Sequence, residues 1–290
     1  MLEASDTPVA EEGYTPMERP APLAVVRASS WPSLFDCAHR FYWQDIMGVR
    51  GPSSAKSAIG TAVHAGTAVF DQSVIEGNPV TVDDAVEASH EALTNPREDV
   101  VFDEDMTRKD AESFAIRLTT RYCQDIAPTR TYEAVELRCE SLDIVTTHGV
   151  VRVTGTTDRV RLLDSGLRGI SDLKTGGRAT EKTPEGGRRA VTKGHHLQLG
   201  IYTLMAEQAS GERMDGPAEI VGLQTTKEAP CGVGEIADVK TPLLGTPERP
   251  GLIEMAAHML KEGLFPPNPK SFICSAKYCA AYASHCKYHD

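Results

Sequence analysis

Residues 150–175, which read VVRVTGTTDRVRLLDSGLRGISDLKT, restrict the fold of this chain more than any other stretch. Apolar and polar residues alternate on both sides of a turn at residues 164–166, and β-branched residues dominate the first half. This pattern predicts two strands joined by that turn. Each predicted strand contains an acid, Asp158 or Asp172, although aspartate is depleted in strands. The two acids therefore need a chemical explanation.

The two aspartates and a neighbouring lysine predict a cation site. Side chains two residues apart in a strand point the same way, so Asp172 and Lys174 share one face while Leu173 points to the other. Pairing of the two strands would bring Asp158 near Asp172. Two carboxylates and a lysine are unfavourable in a core, whereas hard divalent cations take oxygen ligands. We therefore expect a divalent cation at this point of the sheet.

The charge of the chain does not exclude a nucleic-acid substrate. The formal net charge of −11 is unfavourable for binding phosphates over the whole surface. The charges are unevenly distributed, however: residues 1–22 contain five acids and one base, and residues 71–112 contain thirteen acids and three bases. The remainder of the chain is weakly positive, so the global charge says little about the predicted site.

The sequence predicts a cytoplasmic protein with no membrane partner. No apolar run reaches membrane-spanning length, and the N-terminus lacks the apolar core of a signal peptide. The seven cysteines are expected to stay reduced in that compartment. Three of them fall within thirteen residues near the C-terminus and predict a metal or iron–sulfur site at Cys274, Cys279 and Cys286.

The first half of the chain is predicted to be mainly helical. Residues 1–27 are rich in proline and poor in large apolar residues, which predicts a disordered tail. Residues 55–126 would form a helical insertion that contains His64, and a histidine judged alone is more often a surface or core residue than a ligand. A capped N-terminal helix is expected to contain Cys37. The expected helices cover residues 28–47, 55–77, 80–94 and 107–126.

The second half of the chain is predicted to alternate strands and helices. Glu133 and Glu136 lie on the first of these strands, and we expect both to face solvent; an outer metal ligand is the alternative for one of them. Strands are expected at residues 131–146, 150–163, 167–175, 217–227 and 233–240, and helices at 195–209 and 247–262.

Residues 176–194 predict a flexible, basic loop directly after the predicted cation site. Five glycines and one proline favour irregular structure. Its cations are suited to contact a phosphate backbone, and a solvated linker is the alternative. These cations are Arg178, Lys182, Arg188, Arg189 and Lys193.

Six features of the chain occur together in an order typical of one nuclease family. They are Ser30–Cys37, His64, Gly155–Asp158, Asp172–Lys174, Gln198–Tyr202 and the three C-terminal cysteines. Each feature alone is common, and the specificity lies in their joint order. The chain resembles the RecB-like nucleases of the PD-(D/E)XK superfamily. The resemblance is strongest to the iron–sulfur branch that includes CRISPR-associated RecB-type exonucleases, and it covers residues 28–287.

The resemblance implies a fold and a domain organisation. We expect an α/β protein with a restriction-endonuclease-like core, in which helices flank a mixed central sheet. Residues 28–290 would form one nuclease domain. Its cysteine-rich C-terminal segment, residues 265–290, would be joined to the N-terminal helix by a cluster that Cys37 shares with the three C-terminal cysteines. Four thiolates suit either [4Fe–4S] or Zn²⁺, and the family favours iron–sulfur.

The resemblance also implies roles for the site residues. Mg²⁺ or Mn²⁺ would be held by His64, Asp158, Asp172 and the backbone carbonyl of Leu173, and the histidine nitrogen favours Mn²⁺. Lys174 would orient or deprotonate the attacking water, and a nearby metal would lower its pKa. Two residues of the following helix, Gln198 and Tyr202, would position the substrate strand or the water.

The implied function is a metal-dependent DNA exonuclease that acts from single-stranded ends in phage or bacterial recombination or repair. One alternative is a CRISPR adaptation nuclease that trims spacer precursors with an integrase partner. A second alternative is a non-catalytic module that binds nucleic acid or protein on the nuclease scaffold. The expected partners are DNA and an integrase or recombination protein.

Overall fold

The computed structural model describes residues 19–289. The helices α1–α8 span Trp31–Asp36, Ala38–Phe41, Ala55–Ile75, Val82–Thr94, Arg108–Arg121, His196–Ser210, Lys240–Leu244 and Leu252–Glu262. The strands β1–β12 span Ala24–Arg27, Ser53–Ser54, Val100–Val101, Thr131–Thr146, Gly149–Leu162, Arg168–Gly176, Thr180–Lys182, Arg188–Ala190, Ala218–Gln224, Cys231–Ile236, Gly245–Thr246 and Arg249–Pro250. No helix in this part of the chain is long and apolar enough to cross a membrane.

A mixed six-stranded sheet forms the centre of the molecule. The first part of β5 pairs in parallel with β1, its last residues pair antiparallel with β6, and β4 pairs along its other edge. Strand β6 continues the sheet in parallel with β9, which pairs antiparallel with β10. A parallel neighbour requires a crossover connection, and α6 lies in the segment between β6 and β9. The predicted mixed sheet with flanking helices is confirmed.

Helices cover both faces of the sheet. On one face, Ile59 and Val63 of α3 pack with Leu118 of α5 against Leu173 and Val221 of the sheet. On the opposite face, a second cluster joins α1, α2, α6 and α8 to the other sides of the same strands. Each large apolar side chain buried in this way contributes about 1.5–3 kcal/mol. The predicted opposite orientation of Leu173 and its neighbours follows from this two-sided packing.

Helix α3 is fixed in position by a close helix crossing and by a buried ion pair. A Cβ on Gly66 would lie 2.4 Å from the backbone oxygen of Ala85, so α3 and α4 approach closely only with glycine there. Arg159 of β5, 1% exposed, lies with its Nε 2.8 Å from Asp71 Oδ2 of α3 and donates from Nη2 to Thr67 Oγ1 at 2.8 Å. Breaking a buried pair of this kind costs about 3–5 kcal/mol.

The predicted N-terminal boundary needs a correction. The tail predicted for residues 1–27 is wrong at its C-terminal end, because Ala24–Arg27 form β1 and pair with residues 151–154 of β5. The apolar residues of this short segment cover the edge of β5, which explains why it is ordered. Residues 1–18 of the predicted tail lie outside the described residues.

The helix predicted for residues 28–47 is interrupted. Cys37 has extended backbone angles, φ −145° and ψ 95°, and separates α1 from α2. Its Sγ accepts a hydrogen bond from the backbone N–H of Asn268 at 3.4 Å. Sequence periodicity continues across this break, so the break follows from a contact with the distant C-terminal segment.

Three other predicted segments differ from the structure: a loop, a strand and a helix. The loop predicted at residues 176–194 contains the hairpin β7–β8, whose backbone lies so close to β10 that a Cβ on Gly232 would meet Arg189 Cα at 2.9 Å. The strand predicted for residues 233–240 ends at Ile236, and the helix predicted for residues 247–262 begins at Leu252. The short helix α7 and the hairpin β11–β12 occupy the residues between them.

The C-terminal segment after α8 folds with little regular structure. Its described residues contain no helix and no strand beyond an isolated bridge between Tyr282 and Cys286. Polar contacts attach it to the rest of the domain. Asn268 Nδ2 donates to the backbone oxygen of Asp36 at 2.9 Å, and Lys277 Nζ lies 2.9 Å from carboxylate oxygens of both Asp103 and Asp105.

Candidate active site

The site begins where β5 and β6 separate. Their ladder ends at the pair Arg159 and Ser171. One residue further, the Asp158 carboxylate accepts a hydrogen bond from the backbone N–H of Leu173 at 2.9 Å. The side chain therefore takes the place of the strand carbonyl that this N–H would otherwise have used. This contact explains why an aspartate is found within a buried strand.

His64 of α3 faces this point from the adjacent layer. Its Nε2 lies 3.0 Å from the backbone oxygen of Leu173, and its Nδ1 lies 3.5 Å from Asp158 Oδ2 and 3.8 Å from Glu136 Oε1. Burial alone would lower the pKa of His64, but the charges of Asp158 and Asp172 and a hydrogen bond to Glu136 raise it. The carboxylates thus create a negative potential that attracts positive charge to this point.

Glu136 lies in the site, although the sequence favoured a position facing solvent and kept an outer metal ligand only as the alternative. Its carboxylate is 43% exposed, yet its oxygen belongs with His64 and Asp158 to a group of ligand atoms that all lie within 4.8 Å of one another. Its φ of 48° is unusual for a non-glycine residue in a strand and costs about 1–3 kcal/mol. Such strain is typical of functional sites, where the surrounding fold holds it.

A β-bulge explains why Glu136 was missed. Simple antiparallel counting from the β4–β5 turn places Leu137 opposite Asp158. The register shifts between Cys139 and Leu142, and Leu137 instead pairs with Thr157. Glu136 therefore comes opposite Asp158. A one-residue shift is not visible in the alternation of the sequence.

Asp172 and Lys174 form an ion pair beside this group. The Asp172 carboxyl is 1% exposed, and Lys174 Nζ lies 2.7 Å from its Oδ2. Burial, reinforced by the charge of Asp158, raises the pKa of Asp172 to about 6 against the opposing effect of Lys174. Burial would lower the pKa of Lys174, but the two aspartates outweigh it and raise that pKa. In the chain without a cation, the lysine pKa therefore shifts opposite to the predicted lowering.

Helix α6 supplies the polar groups that orient Asp172. Gln198 Nε2 donates to Asp172 Oδ1 at 3.4 Å and to the Tyr202 hydroxyl at 3.2 Å. Burial raises the pKa of Tyr202, so the phenol stays neutral. The Tyr202 ring packs over Gly155, with Cε1 3.5 Å from where a Cβ would stand. The two predicted residues of α6 therefore lie in this site and act on the carboxylate.

His195 is another neighbour that the sequence reasoning missed. It immediately precedes α6, and burial, together with the charges of Lys174 and His196, lowers its pKa to about 4. Its imidazole is therefore neutral near pH 7, and it adds no positive charge beside Lys174. The sequence offered no motif that would separate His195 from an ordinary polar residue before a helix.

The donor atoms fit a divalent cation. Two neighbouring ligands of an octahedral ion with bonds of about 2.1 Å lie about 3.0 Å apart. The observed separation of His64 Nε2 and the Leu173 oxygen is 3.0 Å. On the Nδ1 side of the same imidazole lie the Asp158 and Glu136 carboxylates, and the ligand atoms of His64, Glu136 and Asp158 all lie within 4.8 Å of one another. A cation bound there would stabilise negative charge on a phosphate and make a water molecule more acidic.

The four predicted cluster cysteines line one pocket, separate from the candidate active site. Cys37 contributes from the break between α1 and α2, and Cys274, Cys279 and Cys286 contribute from the C-terminal segment. Burial and the three neighbouring thiols raise the pKa of Cys274. All four thiols are free of disulfides.

The predicted basic loop residues do not converge on one point. Arg189 pairs with Glu181 across the hairpin at 2.7 Å, and Arg188 donates to the Gln224 side chain at 3.2 Å. Arg178 lies over the Phe272 ring, with 5.6 Å between its guanidinium carbon and the ring centroid. The remaining two, Lys182 and Lys193, are exposed.

The profile of the PD-(D/E)XK nuclease superfamily matches residues 28–287. The chain belongs to the PD-(D/E)XK nuclease superfamily. Its membership makes it a nuclease with a nucleic-acid substrate, and the site described above lies where β5, β6 and α3 meet. The superfamily assignment from the ordered motifs is confirmed.

The solved structures that the chain resembles are distant in sequence. The crystal structure of a candidate exonuclease from Eubacterium rectale is 16% identical, covers 91% of this chain and 90% of that chain, and superposes with a TM-score of 0.52. The crystal structure of SSO0001 is 13% identical over 81% of this chain and 87% of that chain, with a TM-score of 0.33. No curated protein sequence matches the chain. At these identities the likeness to the first structure supports the fold alone.

Proposed function

We propose that this nuclease is a metal-dependent DNA exonuclease that hydrolyses phosphodiester bonds from single-stranded ends, in bacterial or phage recombination or repair. One observation supports this most directly. His64, Asp158 and Glu136 converge within 4.8 Å beside the Asp172–Lys174 ion pair. An inactive binding module would have no need to keep this costly set of buried charges together.

Each side chain has a proposed role in hydrolysis. His64, Asp158, Asp172 and the Leu173 carbonyl would hold Mn²⁺ or Mg²⁺, and the imidazole favours Mn²⁺. Glu136 joins this set as an added oxygen ligand. Since Asp172 keeps Lys174 protonated, the ammonium would orient the attacking water and offset charge on the phosphate.

Two residues of α6, Gln198 and Tyr202, would keep the reacting groups aligned. Gln198 donates a hydrogen bond to Oδ1 of Asp172, the oxygen not paired with Lys174, and another to the Tyr202 hydroxyl. The basic residues Arg178, Lys182, Arg188, Arg189 and Lys193 lie after the catalytic strand and would contact the phosphate backbone.

We further propose that the four cysteines hold a [4Fe–4S] cluster. All four line one pocket, so a shared ligand fits the arrangement. Four thiolates suit either [4Fe–4S] or Zn²⁺, and the branch that the motifs resemble favours iron–sulfur.

The nuclease proposal is tested by degradation of single- and double-stranded DNA labelled at either the 5′ or the 3′ end, with Mn²⁺, Mg²⁺ or EDTA. Wild-type protein is expected to release short products from single strands with Mn²⁺, and EDTA should stop the reaction. Asp172→Ala and Lys174→Ala should both abolish it. Asp164→Ala is the matched control, because Asp164 is an exposed acid in the β5–β6 turn. Cleavage by either site variant at the wild-type rate would refute the site.

A further inference from the structure

An exposed aromatic group lies on the C-terminal segment. Phe272 is 79% exposed, which is the highest value, shared with Val145, among the large apolar side chains that the structure describes. Single exposed apolar residues are common and need no explanation. Phe272, however, is part of a group. Tyr278 stacks beside Phe272 with ring centroids 6.1 Å apart and an interplanar angle of 25°. Arg178 lies over the Phe272 ring.

The aromatic group is close to the catalytic strand. Arg178 follows Lys174 by four residues, and four residues span at most about 14 Å. The loop after the catalytic lysine is therefore in contact with the C-terminal segment through Arg178 and Phe272. A nucleic-acid strand of a few nucleotides would be long enough to reach from this contact to the reacting phosphate.

Two neighbouring pockets lie between Tyr278 and the candidate cation site. One is lined by Tyr278 together with Ser53 and Glu98. The other is lined by the same Ser53 and Glu98 and by His64 and Glu136. The shared lining residues place Tyr278 of the aromatic group one pocket away from the proposed cation site.

The chemistry of this group suits an unpaired base. Every nucleobase has a π face that stacks on an aromatic ring, and an arginine beside the ring can bind the phosphate. The contact between Arg178 and Phe272 is exposed and 5.6 Å long, so a base can replace the guanidinium over the ring at small cost. A base within a duplex is already covered on both faces by its neighbours. Only an unpaired base can therefore use the ring.

We propose that Phe272, Tyr278 and Arg178 form a stacking site for the unpaired bases of a single nucleic-acid strand. The bases would lie on the two rings, and Arg178 would turn from the ring to a phosphate. This inference rests on the proposed nuclease function and specifies its substrate as a single strand held by the aromatic group of the C-terminal segment. It adds a binding site outside the catalytic residues.

Binding in EDTA tests the site without cleavage. The full-length protein is titrated into a fluorescein-labelled oligothymidylate and, separately, into a blunt duplex of the same length, and fluorescence anisotropy is followed. Phe272→Ala should weaken single-strand binding about tenfold. Duplex binding should change less than about twofold, since a duplex offers a free base face only at its two terminal pairs. Phe272→Trp should restore single-strand binding, because indole stacks at least as well as phenyl.

A matched control separates stacking from general loss of apolar surface. Val145→Ala removes an equally exposed apolar side chain from β4 and should leave single-strand binding unchanged. A second readout uses 2-aminopurine in the oligonucleotide, whose fluorescence falls when the base stacks. Wild-type protein should quench it more strongly than Phe272→Ala does.

The outcomes separate this inference from the nuclease proposal. If wild-type protein degrades DNA and Phe272→Ala binds single strands as tightly as wild type, the stacking site is refuted and the nuclease proposal stands. If wild-type protein cleaves nothing while Phe272→Ala still weakens single-strand binding, the nuclease proposal fails and the stacking site is supported. Equal losses for single strand and duplex would also refute stacking.

Discussion

The molecule contains two candidate ligand-binding centres that are built in different ways. The catalytic centre takes its residues from α3, β5, β6 and α6, which the apolar core fixes on both faces of the sheet. The cysteine centre takes one residue from a break between two short helices and three from a segment without regular structure. The first is built on regular elements of the core. The second is built on segments with little regular structure, which the proposed cluster would join.

The contacts around each centre explain the difference. At the catalytic centre, the buried pair of Arg159 and Asp71 ties α3 to β5, so His64 stays beside Asp158. At the cysteine centre, exposed ion pairs of Lys277 with Asp103 and Asp105 accompany ring contacts such as that of Trp43 with His285. Exposed ion pairs contribute only about 0–1 kcal/mol each. A bound cluster would close the long chain loop between Cys37 and Cys274 and supply the missing stability.

The sharpest test of this comparison removes the catalytic amine. Lys174→Ala should reduce cleavage of single-stranded DNA roughly 10⁴-fold, because the ammonium orients the water and offsets the phosphate charge. Iron content and visible absorbance should equal those of wild type, since the cysteine pocket is elsewhere. Lys261→Ala, on the exposed side of α8, is the control and should cleave normally. Joint loss of cleavage and iron would show that the two centres depend on each other.

The next largest effect is expected from the ion pair that positions α3. Arg159→Met leaves Asp71 buried without its partner and should lower the free energy of unfolding by about 4 kcal/mol. Urea unfolding in EDTA measures this value. Arg168→Met breaks the partly exposed contact with Glu133 and should cost less than about 1 kcal/mol. Similar losses in both variants would mean that burial of the first pair contributes nothing special to the catalytic centre.

Cysteine replacement should destabilise the cysteine centre and leave the catalytic centre intact. Cys274→Ser should abolish bound iron, expose the C-terminal segment to limited proteolysis and lower the thermal midpoint by about 10 °C, which corresponds to roughly 3 kcal/mol. Affinity for Mn²⁺, measured by calorimetry, should stay within about twofold. Cys231→Ser, a half-buried cysteine on β10, is the control. An iron-loaded Cys274→Ser protein would contradict the proposed ligand set.

The smallest expected effect is a difference in pH dependence. Asp172, with a pKa of about 6, and His64, whose pKa is raised, must both lose a proton before they can bind a cation. Mn²⁺ affinity should therefore fall as pH decreases through this range and should be at least about tenfold weaker at pH 5 than at pH 7. The raised pKa of Cys274 shifts thiolate formation to higher pH, so uptake of Zn²⁺ by the cluster-free protein should keep increasing above pH 8.

Calorimetry of the cluster-free protein can follow both centres in one pH series. Cysteine alkylation would isolate the Mn²⁺ signal, and Lys174→Ala would test whether the ion pair contributes to its midpoint. Equal Mn²⁺ affinity at pH 5 and pH 7 would show that Asp172 is already ionised or that it is not a ligand.

The sequence predicted most of the catalytic centre because strand geometry is local. Residues two apart on a strand share a face, which placed Lys174 with Asp172 and turned Leu173 away. Helical spacing placed Gln198 and Tyr202 on one side of α6. Glu136 was assigned to solvent because its position depends on a bulge that adds one residue to β4, and alternation does not reveal such an insertion.

The sequence indicated which cysteines form the cysteine centre, but it did not predict the backbone that positions them. The spacing of the C-terminal cysteines indicated a site, but helical periodicity ran through Cys37 and hid the break there. That break is set by a contact with Asn268, more than two hundred residues away in the chain. Long-range contacts of this kind are absent from local pattern, and the same reason explains the undetected strand β1 and the hairpin β7–β8.

The hydrogen bond from the Leu173 amide to Asp158 has a consequence for mutagenesis. The Asp158 carboxylate both joins β5 to β6 through this hydrogen bond and faces the His64 imidazole of α3. Loss of activity in an Asp158 variant would therefore follow either from separation of the two strands or from loss of the cation ligand. Substitutions on β6 therefore separate the reaction from the fold more cleanly than substitutions of Asp158.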